Sequence, residues 1–587
     1  MADVAHDLVI RGGQVADGRG GEPVAADVAV GGGTITAVGT VAGRGREEID
    51  AAGLLVTPGF VDIHTHYDGQ ATWDARMAPS SWHGVTTAVM GNCGVGFAPV
   101  RPDAHDQLIS LMEGVEDIPG AVLDEGIDWT WETFGEYLDA VERRPHDIDL
   151  CAQLPHGALR LYVMGERAAR LEDATEEDAA AMRQLAAEAM RDGAVGFSTS
   201  RTLNHKTASG DPTPSLRARS DELEGIAMGV ADAGHGVIEL ISDFFPDTDG
   251  EFELVRAMVA ASGRPLSLSL AQSHRQPEAW RGLLERIEES VAEGLPIRAQ
   301  VAPRPVGLLI GLQSSYHPFL TFPAWRDVTG LPVAEQARAV RDPAFRARVL
   351  AEVAEDDGAG GAGGRRTGRR RLINYANVFP LGEVPDYEPA PEASIERMAA
   401  ARGVDPAALT LDLLAENDGR NFLYTPFSNY AEGNLDACGE MLAHPDTLFG
   451  LGDGGAHVGL IADASFPTYF LSHWARDRSH GRMPVGRVVE RLTMHNARAV
   501  GLHDRGVVAA GMKADLNVID FDRVRCEAPV MAYDLPAGGK RLLQRARGYC
   551  ATVVDGQVTY RDGEPTGALP GRLVRGGSGN GTGKETA

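Results

Sequence analysis

The sequence predicts an α/β protein: a (β/α)8 barrel, TIM-like in layout, with a small β-sandwich built from both chain ends. Two patterns carry that expectation. Between Thr57 and Asp453, short apolar strands alternate with helical stretches, and eight such units can be marked. Towards either end the texture changes to short, glycine-separated pieces in which apolar and polar residues alternate. A chain of 587 residues suits one barrel plus a smaller module.

Residues 1–56 supply the first part of the sandwich, with Leu8-Val9-Ile10, Val28-Ala29-Val30 and Ile35 to Val38 as strands. The barrel is expected over 57–500. Its first strand runs from Thr57 into His64-Thr65-His66, and its second is Val85 to Met90, ending at Gly91-Asn92-Cys93-Gly94. The third spans Ile148 to Leu154. Thr175 is placed to N-cap a helix that opens on Glu176, Glu177 and Asp178 and stops at Gly193. Strands four to seven follow at Ala194–Thr199, Val237–Ser242, Leu266–Gln272 and Pro296–Ala302, and the eighth at Thr447–Asp453. The interruption at about 303–446 should overhang the barrel mouth as a lid or pocket wall, with Asp356 to Arg371 as a mobile loop. Residues 501–566 complete the sandwich, and 567–587, rich in glycine and polar groups, should be disordered.

The net charge of −28 argues against nucleic acid or an anionic membrane as partner, since both would be repelled. Five widely spaced cysteines, an odd number, do not make a disulfide framework. The first residues lack the basic start and apolar core of a secretion signal, and no apolar run is long enough to cross a bilayer. A cytoplasmic protein acting on a small molecule is the expectation.

Barrel chemistry gathers where strands end. In extended backbone, residues two apart point to one side, so His64 and His66 can reach one ion. Strand two adds Cys93, against the plainer reading of a small residue in a tight turn. Strand eight adds Asp453, against that of a turn former. Two imidazoles, a thiolate and a carboxylate suit zinc. Zinc lowers the pKa of a bound water and polarises a carbonyl, and Asp453 could take the water's proton and return it to a leaving nitrogen. Hydrolysis of an amide-type bond is expected. His457, four residues after Asp453, would orient that base or bind substrate. His156, at the end of strand three, would donate to a substrate oxygen or make a structural hydrogen bond. Arg201 and Arg304 are candidate clamps for a substrate carboxylate, and Ser198 a candidate substrate contact.

Gly59-Phe60-Val61-Asp62-Ile63-His64-Thr65-His66, Gly84-Val85-Thr86-Thr87, Gly91-Asn92-Cys93-Gly94, Pro155-His156-Gly157-Ala158-Leu159-Arg160, Gly196-Phe197-Ser198-Thr199, Gly452-Asp453-Gly454 and Gly511 to Leu516 run in order along the chain. Together they resemble the amidohydrolase superfamily, in its N-acyl-D-amino-acid deacylase branch. The resemblance implies a zinc hydrolase in which the strand-two cysteine takes the place of a carboxylated lysine, in a dimer or larger homo-oligomer. It also implies histidines ending strands five and six. Here strand five ends Glu239-Leu240-Ile241-Ser242-Asp243, with no histidine. On strand six, His274 falls several residues late, leaving Gln272 and Asp243 as alternatives. One zinc is therefore expected, on His64, His66, Cys93 and Asp453 with His274 as a further candidate ligand. The expected reaction is deacylation of an N-acyl (D-)amino acid or related small amide. Ring opening of a cyclic amide or imide, as in hydantoinases, is an alternative, and so is a metal-free barrel serving as a binding or scaffold protein.

Overall fold

A computed structural model of the chain describes residues 4–358 and 374–577. Its centre is an eight-stranded parallel sheet in which sequence neighbours are spatial neighbours. The strands are β1 (Phe60–Asp62), β2 (Val85–Met90), β3 (Asp149–Pro155), β4 (Gly196–Arg201), β5 (Val237–Ser242), β6 (Leu266–Ser269), β7 (Ile297–Val301) and β8 (Thr447–Phe449). The sheet curls so that its first and last strands meet. Asp453 N donates to His64 O at 3.0 Å, His66 N donates to Gly454 O at 2.7 Å, and Asn496 Nδ2 spans Val61 O and Phe449 O. The seam therefore closes just past the strand ends, at the mouth.

Local chemistry explains the elements. β2 reads Val-Thr-Thr-Ala-Val-Met and is buried throughout, as a strand covered on both faces must be. The helix Glu176–Asp192 starts on a reciprocal capping box between Thr175 and Asp178 and stops at Gly193, whose φ of +115° suits a residue without Cβ. β6 stops at Ser269, short of the expected Gln272, and β8 at Phe449, short of Asp453.

Both chain ends feed one nine-stranded sheet, in which Leu55–Pro58, leading straight into β1, pairs antiparallel with Leu516–Ile519. Leu8, Ile10, Val28, Val30, Val56, Val518 and Val553 form its core. A buried charge network ties this sheet to the barrel foot: Asp149, opening β3, accepts from Lys513 Nζ at 2.8 Å and Arg505 at 2.6 Å. With every charge paired, breaking one partner would strand the other.

The interruption between β7 and β8 carries its own core, including Phe319, Trp325, Val349 and Leu411, and a three-stranded antiparallel sheet of Gly307–Ile310, Leu423–Pro426 and Phe379–Pro380. Most of the expected mobile loop, 359–371, lies outside the described residues, and 356–358 end a helix. The expected disordered tail needs correction over 567–577. Leu573 and Val574 are buried, Gly571 N donates to His146 O and Val574 N to Leu150 O, so this stretch packs beside the start of β3. Residues 578–587 lie outside the described residues. No helix among the described residues is long and apolar enough to cross a membrane.

Candidate active site

The donor set assembles at the seam. His64 and His66 leave β1 1% and 2% exposed, and their donor atoms lie with Cys93 Sγ within 4.8 Å of one another. Cys93 Sγ is 3.3 Å from His64 Nε2. Asp453 Oδ1 lies 3.4 Å from His64 Nε2 and 3.7 Å from His66 Nε2. All four residues thus converge from β1, β2 and β8. Asp453 and His457 keep 17% and 27% of their side chains exposed, so approach is from their side.

The loop presenting Cys93 is held on every side. Cys93 itself has φ +55°, a left-handed conformation that costs energy in a residue with a Cβ. Its N–H donates to Glu239 Oε2 at 2.8 Å, Gly94 N donates to Ser198 Oγ at 3.0 Å, and Asn92 Nδ2 donates to Thr65 O and Val89 O. Asp453 and His457 also adopt positive φ, +46° and +48°. Three residues at the mouth are thus held in conformations that only the surrounding contacts sustain.

Burial keeps the imidazoles neutral and ready to ligate: it pushes His64 down to about 4 and His66 to about 3. Acids crowd the same space. Burial, with Asp453 adding repulsion, raises Asp62 to about 7 and Glu239 to about 8. Burial and the neighbouring Asp453 and Asp68 raise Glu116 far above the usual carboxylate range. Burial and then Glu239, Glu116 and Asp453 raise the Cys93 thiol. Burial also raises Asp453, against the pull of His64 and His457. Asp62 Oδ2, Glu116 Oε2 and Glu239 Oε1 are buried without a hydrogen-bond partner.

Other expected residues fall elsewhere. His274 is outside the donor set, because β6 ends at Ser269 and the chain then bridges to Ser428. Gln272 is held by Glu432 and Ala431, and Asp243 by Thr202 and Leu203. Arg201 makes a two-pronged pair with Glu251, at 2.8 and 2.6 Å, so its fork is occupied. Arg304 is buried against Asp463 at 3.0 Å and under the Tyr387 ring at 3.7 Å. Ser198 spends its hydroxyl on Gly91 O and Gly94 N, shaping the Cys93 loop. His156 commits both ring nitrogens, to Thr199 Oγ1 at 2.8 Å and Glu222 Oε1 at 2.9 Å, which is the structural hydrogen bond and leaves nothing for substrate.

Sequence reasoning passed over four residues. Gln300 on β7 sits 2.9 Å from His64 Nδ1, Glu239 on β5 holds Cys93 N, and Glu116 closes the helix His105–Glu116 beside His66. His205, after β4, feels His457, His66 and His64, and burial pushes it down to about 3. A charged residue inside Val237-Ile-Glu-Leu-Ile was the readable signal for Glu239. Glu116, in Glu-Gly-Val-Glu-Asp, reads as a solvated helix end and gave none.

A parallel barrel gathering two imidazoles, a thiol and a carboxylate at its mouth is a hydrolase of the metal-binding barrel class. A sequence profile of the amidohydrolase family matches residues 47–560, and the chain belongs to that family. It is a hydrolase of carbon–nitrogen bonds other than peptide bonds, on the D-aminoacylase-like branch. It is 28% identical to D-aminoacylase of Alcaligenes xylosoxydans xylosoxydans, over 97% of each chain. It is 29% identical to N-acyl-D-glutamate deacylase of the same organism, over 97% of this chain and 96% of that one. A solved N-acyl-D-glutamate deacylase from Bordetella bronchiseptica, complexed with zinc and a phosphonate inhibitor, shares the fold with a TM-score of 0.64 at 22% identity, covering 97% and 99% of the two chains.

Proposed function

We propose that the chain deacylates an N-acyl amino acid of D configuration or a related small amide, with one zinc ion held by His64, His66, Cys93 and Asp453. The observation carrying this reading is the convergence of those donors within 4.8 Å for the first three, with Asp453 Oδ1 beside both imidazoles. The residues fit a cation. Neutral imidazoles offer lone pairs, and buried carboxylate oxygens of Asp62, Glu116 and Glu239 accept no hydrogen bond. A divalent charge at the centre of the set would offset the mutual repulsion of those acids and bring the thiol to thiolate. Strands five and six bring no further histidine, which favours a single ion. Similarity to D-aminoacylase and N-acyl-D-glutamate deacylase supports the substrate class.

When bound, the ion supplies Lewis acidity, polarising the amide carbonyl and easing the ionisation of water. The chain's residues do the rest. Asp453, on the open side, accepts the proton of the attacking water and passes it to the amide nitrogen as the carbon–nitrogen bond breaks, giving acid and amine. His457 lines the same approach and orients the base. Gln300 fixes the His64 ring. The test is metal analysis of the purified protein with a panel of N-acyl-D-, N-acyl-L- and cyclic amides. About one zinc per chain and selective release of amine from the D series are expected. Absence of zinc uptake, or turnover confined to cyclic amides, would refute the reading.

A further inference from the structure

Both imidazoles of the pair turn Nε2 towards the donor set: His64 Nε2 lies 3.4 Å and His66 Nε2 3.7 Å from Asp453 Oδ1. Each then has an outer nitrogen, Nδ1, needing a partner of its own. For His64 the partner is Gln300 Oε1 at 2.9 Å, and Gln300 Nε2 in turn donates to Ser267 Oγ at 2.9 Å, which fixes which end of the amide faces the ring. For His66 the group in that place is Glu116, whose Oε1 lies 3.2 Å from Nδ1. Both side chains are 1% exposed, and each leaves a polar atom without a well-formed hydrogen bond, His66 Nδ1 and Glu116 Oε2. Glu116 Oε2 lies 3.7 Å from His457 Nε2. One carboxylate thus stands between an imidazole of the donor set and the imidazole at the entrance.

We infer that Glu116 is a positioning residue: it takes the Nδ1–H of His66, so that Nε2 is the nitrogen left to the ion, and anchors the His457 ring from behind. This rests on the reading of an ion at the donor set. The physics is that of an imidazole ligand whose outer N–H is held by a carboxylate, which fixes tautomer and ring angle and strengthens the inner lone pair. Nothing else among the described residues is recorded within ion-pair or hydrogen-bond distance of His66 Nδ1. The placement is also deliberate in the fold. Helix His105–Glu116 ends on this residue, and the next, Asp117, turns left-handed at φ +53°, sending the chain away while Glu116 stays buried.

The experiment loads wild type, Glu116→Ala and Glu116→Gln with zinc and follows ion release to excess chelator. Melting temperature is recorded in parallel. Glu116→Ala should release zinc about 10- to 100-fold faster than wild type. Glu116→Gln keeps an oxygen for Nδ1–H but not the charge, and should release zinc more slowly than Glu116→Ala and faster than wild type. A merely structural Glu116 would lower the melting temperature in Glu116→Ala while zinc left at the wild-type rate, and that overturns the inference alone. Equal acceleration in the Ala and Gln variants overturns it as well. A wild type that takes up no zinc removes both the inference and the reading beneath it.

Discussion

Replacing Arg304 by alanine separates a substrate clamp from a structural ion pair. The guanidinium is 1% exposed, lies 3.0 Å from an equally buried Asp463, donates to Ala462 O and Ser465 Oγ, and sits 3.7 Å from the Tyr387 ring centre. Removing it leaves Asp463 buried without a counter-ion, which costs about 3–5 kcal/mol. Because every 1.4 kcal/mol is a factor of ten, opening of the segment that follows Asp463 should become about 10²- to 10³·⁵-fold more frequent. Native-state hydrogen exchange at the amides of Phe466, Thr468 and Tyr469 reads that directly. A paired change, Arg304→Met with Asp463→Leu, should recover most of the protection, because no charge is then stranded. Turnover should fall in the single variant with little change in KM, since the disturbed segment adjoins the Asp453 loop. Unchanged exchange together with a large rise in KM would show that Arg304 grips substrate after all.

Cys93→Ala should lose bound zinc and at least 10²-fold in turnover, checked by metal analysis and amide hydrolysis. Gln300→Leu leaves His64 Nδ1 unpartnered and should weaken zinc binding about 10- to 100-fold, measured by competition with a chelating dye. Burial raises Glu388, but hydrogen bonds from His473, Arg478 and Leu435 N outweigh it and bring the carboxyl from 4.5 down to about 2. Its stabilisation is therefore present above pH 4.5 and lost as pH falls towards 2, so Glu388→Gln should flatten the acid limb of a stability profile over that window. Truncation after Thr566 removes buried Leu573 and Val574 and should cost about 3–6 kcal/mol, read as a fall in melting temperature.

The barrel was readable because its strands are apolar runs that end on reactive side chains. β2 and β5 fall where the pattern placed them, and His64 and His66 were singled out by a two-residue period at the end of an apolar strand. What sequence could not convey is how a polar group is spent. Arg201, Arg304 and His156 have the chemistry of substrate contacts, yet each is consumed by a partner far along the chain: Glu251, Asp463 and Glu222. The packed stretch 567–577 has the composition of a tail, and only its backbone bonding to His146 and Leu150 contradicts that. Glu116 sits in a run of acids that on most helices faces water.

The seam between β1 and β8 orders events during synthesis of the chain. His64, His66 and Cys93 emerge early from the ribosome, whereas Asp453 and the residues that pair with the backbone of His64 and His66 come only after the whole excursion between β7 and β8. At ordinary elongation rates the interval is tens of seconds. Until then the backbone of His64 and His66 lacks its partners across the seam, so the last strand is also the latch.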